Sequence, residues 1–311
     1  MPNNRIVVMG SSNTDMIIKL PRIPLPGETI TGGKFSMAAG GKGANQAVAA
    51  ARAGGRVTFI ARVGNDLFGE TAIGDFAADG IDVRCVLKDD DAPSGTALIF
   101  VGEDGENSIG VAPGANARLT CGDVEKFRAV IESADMLVMQ LETPMESVDA
   151  AARIAEGKGV KTILNPAPAA PVPGDILARI DILTPNEHEA KVLTGVEVRD
   201  EAGAARAAEM LTAEGVGTAM ITLGAQGAYV RSEEFCGMVR GYPVEAVDST
   251  AAGDVFNGAL AVALCEGKPL RDAVVFANAA AAISVTKLGA QPSIPRREEI
   301  DAFLSIRRAI R

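Results

Sequence analysis

The chain has 311 residues, 47% of them hydrophobic and only 4% aromatic, with 34 glycines, enough for one large α/β unit and against disorder. Forty acidic against 30 basic residues leave a net charge of −10, which disfavours a nucleic-acid-binding surface but permits phosphate to be held locally at a helix N-terminus. Four dispersed cysteines (Cys85, Cys121, Cys236, Cys265), no CxxC pair and one histidine argue against a structural metal site, and no apolar run reaches the roughly 18 residues of a membrane span. A reduced, cytoplasmic, soluble chain without a signal peptide is expected.

Residues 5–10, Arg-Ile-Val-Val-Met-Gly, read as a buried first strand. The stretch from Asn13 to Ala39 is different: Pro21, Pro24, Pro26 and Gly27 interrupt it, and residues 16–20 and 34–38 alternate as short, half-exposed antiparallel strands. Helical spacing begins at Ala44 and stops at Gly54-Gly55. A strand at 57–61 and a helix at 68–78 follow. Residues 96–101 and 107–111 predict a hairpin around Glu103-Asp-Gly105, which joins the earlier short strands as a lid. Strands at 136–140, 161–165, 182–184 and 218–222 then alternate with helices at 123–132, 145–155, 187–193 and 201–213, and helices at 252–265, 270–285 and 296–311 close the chain. The expected fold is a three-layer α/β sandwich on a mostly parallel sheet with a small β-sheet lid. Residues 1–12, 40–94 and 112–311 form the core, and 13–39 and 95–111 the lid.

There is no GxxxxGK[ST] P-loop, no GxGxxG after the first strand and no GxSxG elbow, and His188 sits in a charged helix start. Six segments remain. In Ala251-Ala-Gly-Asp254, ahead of an apolar helix, unpaired amides and the helix dipole suit an anion, and Asp254 either takes a proton from an attacking hydroxyl or caps the helix. Ala39-Gly-Gly-Lys-Gly-Ala-Asn45 permits close approach, with Lys42 and Asn45 able to bind hydroxyls or phosphate, or is a plain turn. Asn13 and Asp15, after the first strand, grip sugar hydroxyls or form an Asx turn. Asn186 and Glu189 offer oxygen ligands to Mg²⁺, directly or through water, or open a helix. Residues 221–227 and 287–293 are loops able to cradle a nucleotide and a monovalent cation, respectively.

The order of these motifs, with residues 40–50 (Gly-Gly-Lys-Gly-Ala-Asn-Gln-Ala-Val-Ala-Ala), Met-Gln-Leu-Glu-Thr-Pro144, Leu-Asn-Pro-Ala-Pro168 and Gly-Ala-Gln-Pro-Ser-Ile-Pro295, resembles the ribokinase-like (PfkB) carbohydrate kinase family. The resemblance runs from about Arg5 to about Leu304. It implies transfer of the ATP γ-phosphate to the 5-hydroxyl of D-ribose, with deoxyribose, another pentose or a nucleoside as alternative acceptors and a non-catalytic sensor as the other class. It implies that Asn13, Asp15, Gly41, Lys42, Asn45 and Glu142 bind the sugar, that Asp254 is the base, and that the amides of Ala251, Ala252 and Gly253 form the anion hole. It further implies ATP contacts from Asn186, Thr222, Gly224, Gly227, Gly253 and Asn278, and Glu189 ordering Mg²⁺. A K⁺ loop of Asp248, Thr250, Ser284, Lys287, Gly289 and Ser293, and a homodimer formed through the lids, are implied too.

Overall fold

Short β-branched and alanine-rich segments dominate the chain, and each must bury its apolar face. In the computed structural model, which describes residues 4–309, they do so in two sheets. Residues 1–3 and 310–311, assigned above to the core and the last helix, lie outside the described residues. The strands are β1 (Arg5–Met9), β2 (Asn13–Lys19), β3 (Lys34–Gly40), β4 (Arg56–Gly64), β5 (Val86–Asp89), β6 (Gly95–Val101) and β7 (Asn107–Ala112). They continue as β8 (Met136–Met139), β9 (Lys161–Leu164), β10 (Ile182–Leu183), β11 (Thr218–Thr222), β12 (Gly227–Arg231) and β13 (Cys236–Arg240). The helices are α1 (Lys42–Arg52), α2 (Leu67–Ala78), α3 (Cys121–Lys126), α4 (Arg128–Glu132), α5 (Met145–Lys158) and α6 (Gly174–Leu177). After them come α7 (Glu187–Thr194), α8 (Glu201–Ala213), α9 (Ala252–Cys265), α10 (Leu270–Ser284) and α11 (Arg297–Ala309).

The nine-stranded sheet runs β13-β12-β11-β10-β9-β8-β1-β4-β5 and is parallel except at the β11-β12-β13 edge. Its inner strands β1, β8, β9 and β10 are buried on both faces, as parallel strands must be. Ile6 and Val8 of β1 point into a core shared with α1, α9 and α10, while Val7 and Met9 point into the opposite core with α5 and α8. Three layers follow from that alternation. Parallel pairing also collects the carboxyl ends of β1, β8, β9, β10 and β11 along one rim, where ligands of open α/β sheets bind.

The four-stranded sheet, β3-β2-β6-β7, is separate. β2 is antiparallel to β3 and parallel to β6, and the 95–112 hairpin supplies the far edge. Asn116 fastens this sheet to the rim. Its Oδ1 accepts from the Ser12 N–H at 2.9 Å, and its Nδ2 donates to Ser12 O at 3.1 Å and Asn13 Oδ1 at 2.8 Å.

Several elements differ from the pattern in the sequence. The expected helix over 123–132 is broken at Phe127 into α3 and α4, and a Thr120–Asp123 capping box starts it earlier, at Cys121. β5, β12 and β13 carry little periodicity: β5 has four residues, and Gly227 and Gly237 stand at positive φ in β12 and β13. α1 begins at Lys42 rather than Ala44, because Ser11 and Glu142, distant in sequence, meet its first amides.

Candidate active site

The site is assembled where α1 and α9 point at the rim. α1 is nearly all alanine and valine on its buried face, so Asn45 and Gln46, both buried, are conspicuous polar intrusions. Buried polar groups need partners, and theirs is Asp254. Asn45 Nδ2 donates to Asp254 Oδ2 and Gln46 Nε2 to Asp254 Oδ1, each at 3.0 Å. Asp254 lies on the third residue of α9, and its carboxylate bonds α1 rather than its own helix amides, so the helix-cap reading of Asp254 fails. Burial raises its pKa; Lys42, Asn45 and Gln46 oppose that, and the charge of Glu142 adds to it.

The α9 N-terminus is shaped for an anion. Ala251 takes a left-handed conformation (φ 61°), unfavourable for a residue with a Cβ, and no side chain caps the helix. The N–H groups of Ala251, Gly253 and Asp254 find no backbone acceptor among the described residues. One correction follows. The Ala252 amide, expected in the hole, donates to Ser249 O at 3.2 Å, and the Asp254 amide is free in its place. Gly253 is instructive: a Cβ built there meets nothing within 4 Å, so no protein packing demands glycine. That leaves open space beside unmet amides, the setting in which helix N-termini hold anions.

The other glycine-rich helix start behaves differently. Gly41 has φ 89°, and a Cβ there would lie 2.8 Å from Asn13 N, so glycine lets α1 abut β2. The first amides of α1 are already met: Lys42 N–H by Glu142 Oε2 at 2.9 Å, Gly43 N–H by Ser11 Oγ at 3.3 Å and Ala44 N–H by Ser11 O at 2.8 Å. Glu142 Oε2 also accepts from Ser11 Oγ at 2.5 Å. No carboxylate lies within ion-pair distance of the Lys42 ammonium among the described residues. Asn45 Oδ1 is buried without a donor, an acceptor open to a ligand hydroxyl. Asp15 of β2 stands beside these groups, its carboxyl pushed up to about 6 by burial and by Glu142.

Asn186 and Glu189 form a reciprocal capping box at α7, so the helix-start reading holds for their side chains. Burial also raises Glu189, with Lys42 lowering and Asp254 raising it, which puts the three in one electrostatic neighbourhood. Thr222 pairs with Asn186 through an isolated bridge, and Gly224 follows it. A Cβ at Gly227 would come 2.2 Å from Val239 O, so that glycine serves the β12–β13 hairpin. The Asn278 amide is engaged by Val239 O at 3.1 Å, binding α10 to β13.

Around Asp248 three segments converge. Its Oδ1 accepts from the amide and hydroxyl of Thr250 and its Oδ2 from the Gly289 amide at 2.9 Å. Burial pushes this carboxyl up, but those hydrogen bonds prevail and hold it below its ordinary value. The carbonyls of Thr250, Lys287 and Gly289 accept no backbone hydrogen bond among the described residues. The hydroxyls of Ser284 and Ser293, both buried, turn to Ala281 O and Ala290 O, and the Lys287 ammonium pairs with Glu299.

Residues 3–297 match the profile described as pfkB family carbohydrate kinase. The chain belongs to that family. A ribokinase of Haemophilus influenzae is 49% identical to this carbohydrate kinase over 299 residues, covering 96% of this chain and 98% of the relative. A deoxyribokinase of Salmonella typhi is 34% identical over 302 residues, covering 97% and 99%. The structure of an Arabidopsis thaliana ribokinase complexed with ribose and ATP superposes with a TM-score of 0.89 at 32% identity, covering 96% of this chain and 98% of that one.

Motif reading of the kinase missed Ser11, Gln46, Asn116, Gln140, Asn165 and Asn257. Gln46 on α1 and Asn257 on α9 were detectable as polar residues on otherwise apolar helix faces; Ser11, Gln140 and Asn165 stand just past strand ends and Asn116 in a short helical turn, with no periodicity of their own. A cleft of about 1080 Å³ at the opposite rim, lined by Asp135, Lys161, Asp181, Thr218 and Cys265, contains none of the site residues.

Asp15 generates a stability prediction. A carboxyl raised from 3.8 to about 6 on folding destabilises the folded state when ionised. The penalty is absent below about pH 4, grows as pH rises to about 6 and is complete above it. Asp15→Asn should therefore stabilise the free protein by about 1–2 kcal/mol at pH 8, the partial exposure of Asp15 reducing the full linkage value, and by almost nothing at pH 4. Urea unfolding at the two pH values measures it; equal effects at both would contradict the assignment.

Proposed function

We propose that this carbohydrate kinase transfers the γ-phosphoryl group of ATP to the 5-hydroxyl of D-ribose. The observation that carries the reading is Asp254 itself: a buried carboxylate held by two donors from α1 and adjoining the unmet amides of α9. In the step proposed, the sugar O5 attacks the γ-phosphorus, its proton passes to Asp254, and the bond from phosphorus to the bridging oxygen breaks to release ADP. The amides of Ala251, Gly253 and Asp254, with the α9 dipole, stabilise the charge on the transferring group. Lys42 adds a cation whose charge reaches Asp254.

The sugar would lie between Asp254 and the small sheet. Asn13, Asp15, Gly41, Lys42, Asn45 and Glu142 line that space, and the orphaned Asn45 Oδ1 supports a hydroxyl there. ATP would run from the anion hole along Asn186, Thr222, Gly224 and Gly227, with Asn278 behind them. Among the described residues no cluster of three metal-ligating side chains exists, so Mg²⁺ would be held by phosphate oxygens and water, with Glu189 accepting from that water. The Asp248 carboxylate and the open carbonyls of Thr250, Lys287 and Gly289 fit a large monovalent cation, and Ser284 and Ser293 flank them. K⁺ there would stabilise the turn leading into Ala251.

Deoxyribose is the second reading, favoured by the deoxyribokinase relative. The lid would also carry a homodimer contact: Phe35, Met37, Leu98, Phe100, Ile109 and Val111 are exposed on its strands, more apolar surface than a lone small sheet leaves to water. A cytoplasmic location suits the free cysteines.

Four outcomes test the proposal. With ATP and Mg²⁺, kcat/KM for D-ribose should exceed that for 2-deoxyribose by roughly 5- to 150-fold, since the missing hydroxyl leaves a buried partner unpaired. Asp254→Asn should lower kcat on ribose by about 10²–10⁴ while ATP still binds; a variant that turns over normally removes the base. Replacing K⁺ by Na⁺ should lower activity, and indifference to the cation would dismiss the Asp248 site. Light scattering should give twice the chain mass for the parent and one chain mass for Phe35→Lys/Ile109→Lys; a monomeric parent rules out the lid contact.

A further inference from the structure

We infer that Gln46 is a positioning residue for Asp254, oriented by a buried chain of amides that includes none of the side chains proposed to bind sugar or nucleotide; this rests on Asp254 being the base. Gln46 is fully buried and fully satisfied. Its two N–H bonds go to Asp254 Oδ1 at 3.0 Å and to Asn165 Oδ1 at 3.1 Å, and its Oε1 accepts from Gln140 Nε2 at 2.6 Å. The direction of every bond is dictated by the carboxylate. Ionised Asp254 can only accept. Gln46 must therefore present its nitrogen to Asp254 and its oxygen to Gln140, and Gln140 must donate.

The chain continues beyond the base. Asn165 Nδ2 donates to Thr184 O at 3.2 Å, Thr184 Oγ1 to Asn257 Oδ1 at 2.7 Å, and Asn257 Nδ2 to Gly253 O at 2.8 Å. That last carbonyl belongs to the peptide whose N–H is the free Asp254 amide. One run of buried hydrogen bonds thus holds the base at one end and an anion-hole peptide at the other, using the ends of β8, β9 and β10. Protonated Asp254 keeps one oxygen as an acceptor but makes the other an O–H donor, which neither Gln46 nor Asn45 accepts without turning its amide. Gln46 therefore favours the ionised base in a setting that otherwise disfavours charge.

The charged groups facing Asp254 are Lys42 of α1, Glu142 after β8 and Glu189 of α7. Lys42 favours ionisation and the two carboxylates oppose it, so the neutral donors from Asn45 and Gln46 decide the balance with Lys42.

The test is the pH profile of kcat at saturating ribose, ATP, Mg²⁺ and K⁺, which takes Asp15-dependent sugar binding out of the curve. Gln46→Met keeps the volume and removes the donor; its acidic limb should move up by about one pH unit, with activity recovering at alkaline pH. Gln46→Glu sets a second carboxylate against Asp254, and its limb should move further up. Gln140→Met leaves both contacts to Asp254 and removes only the group that orients Gln46, so a smaller shift in the same direction is expected. A Gln46→Met protein whose kcat falls equally at every pH, with an unmoved limb, shows a packing role and overturns the inference. Should that variant fail to fold, an unmoved limb in Gln140→Met overturns it instead. Asp254→Asn is the control: if it is inactive while the Gln46 limb stays put, only the positioning role is lost. If it is active, the base assignment falls first.

Discussion

Gly258 of α9 rests directly on α1, and the rest of the site depends on that approach. A Cβ at Gly258 would lie 2.6 Å from Ala49 Cβ and 2.7 Å from Ala50 N, contacts that only a shift of one helix could relieve. Alanine is the better helix former, but overpacking against backbone outweighs the propensity gain of roughly 1 kcal/mol. The closeness of the two axes brings Asn45 and Gln46 within hydrogen-bond reach of a carboxylate more than two hundred residues away in the chain. Looser packing would leave Asp254 buried without donors, and a buried carboxylate without donors is protonated.

The electrostatics of the rim follow from a shortage of cations. Asp15, Glu142, Glu189 and Asp254 are acidic; Lys42 acts on both Asp254 and Glu189, and His188 on Glu189 as well. The other positive feature of the rim is the set of unmet amides at the α9 N-terminus, with its helix dipole. The two glycine-rich helix starts divide the labour. The amides of α1 are consumed by Ser11 and Glu142, which pins Lys42 and Asn45. Those of α9 remain open. Similar glycine-rich helix starts thus end as a closed scaffold in one place and as open amides in the other, and the difference lies in which partners tertiary packing brings.

The small sheet is joined to this rim by backbone and by Asn116, which bonds both Ser12 and Asn13. With its Oδ1 taken by Asn116, Asn13 has its Nδ2 left for a ligand. Asp15, two residues on, returns to the same face of β2 by strand alternation. Sheet register and one buried amide therefore set the pose of two groups proposed to meet the sugar.

Much was legible in the chain alone. Alternating apolar runs and helical spacings located β1, β8, β9, β11 and the helices α5, α7 to α10 to within a few residues, because burial on one or two faces imposes its period locally. The motif residues from Asn13 to Asp254 were nameable, and their order along the chain pointed to the kinase family. What remained undecided locally was choice of partner. The capping reading was correct for Asn186 and incorrect for Asp254, although both are polar residues at helix starts. The Ala252 amide was spent on a turn. Gln46, Gln140 and Asn165 lie inside recognisable segments and Asn257 on a helix, but their roles were not readable, because their bonds cross between elements. Sequence period determines which faces are buried; only the close approach of α1 to α9 and the shared rim of parallel strands determined which buried polar atoms meet, since hydrogen bonds select partners at about 3 Å whatever their separation along the chain.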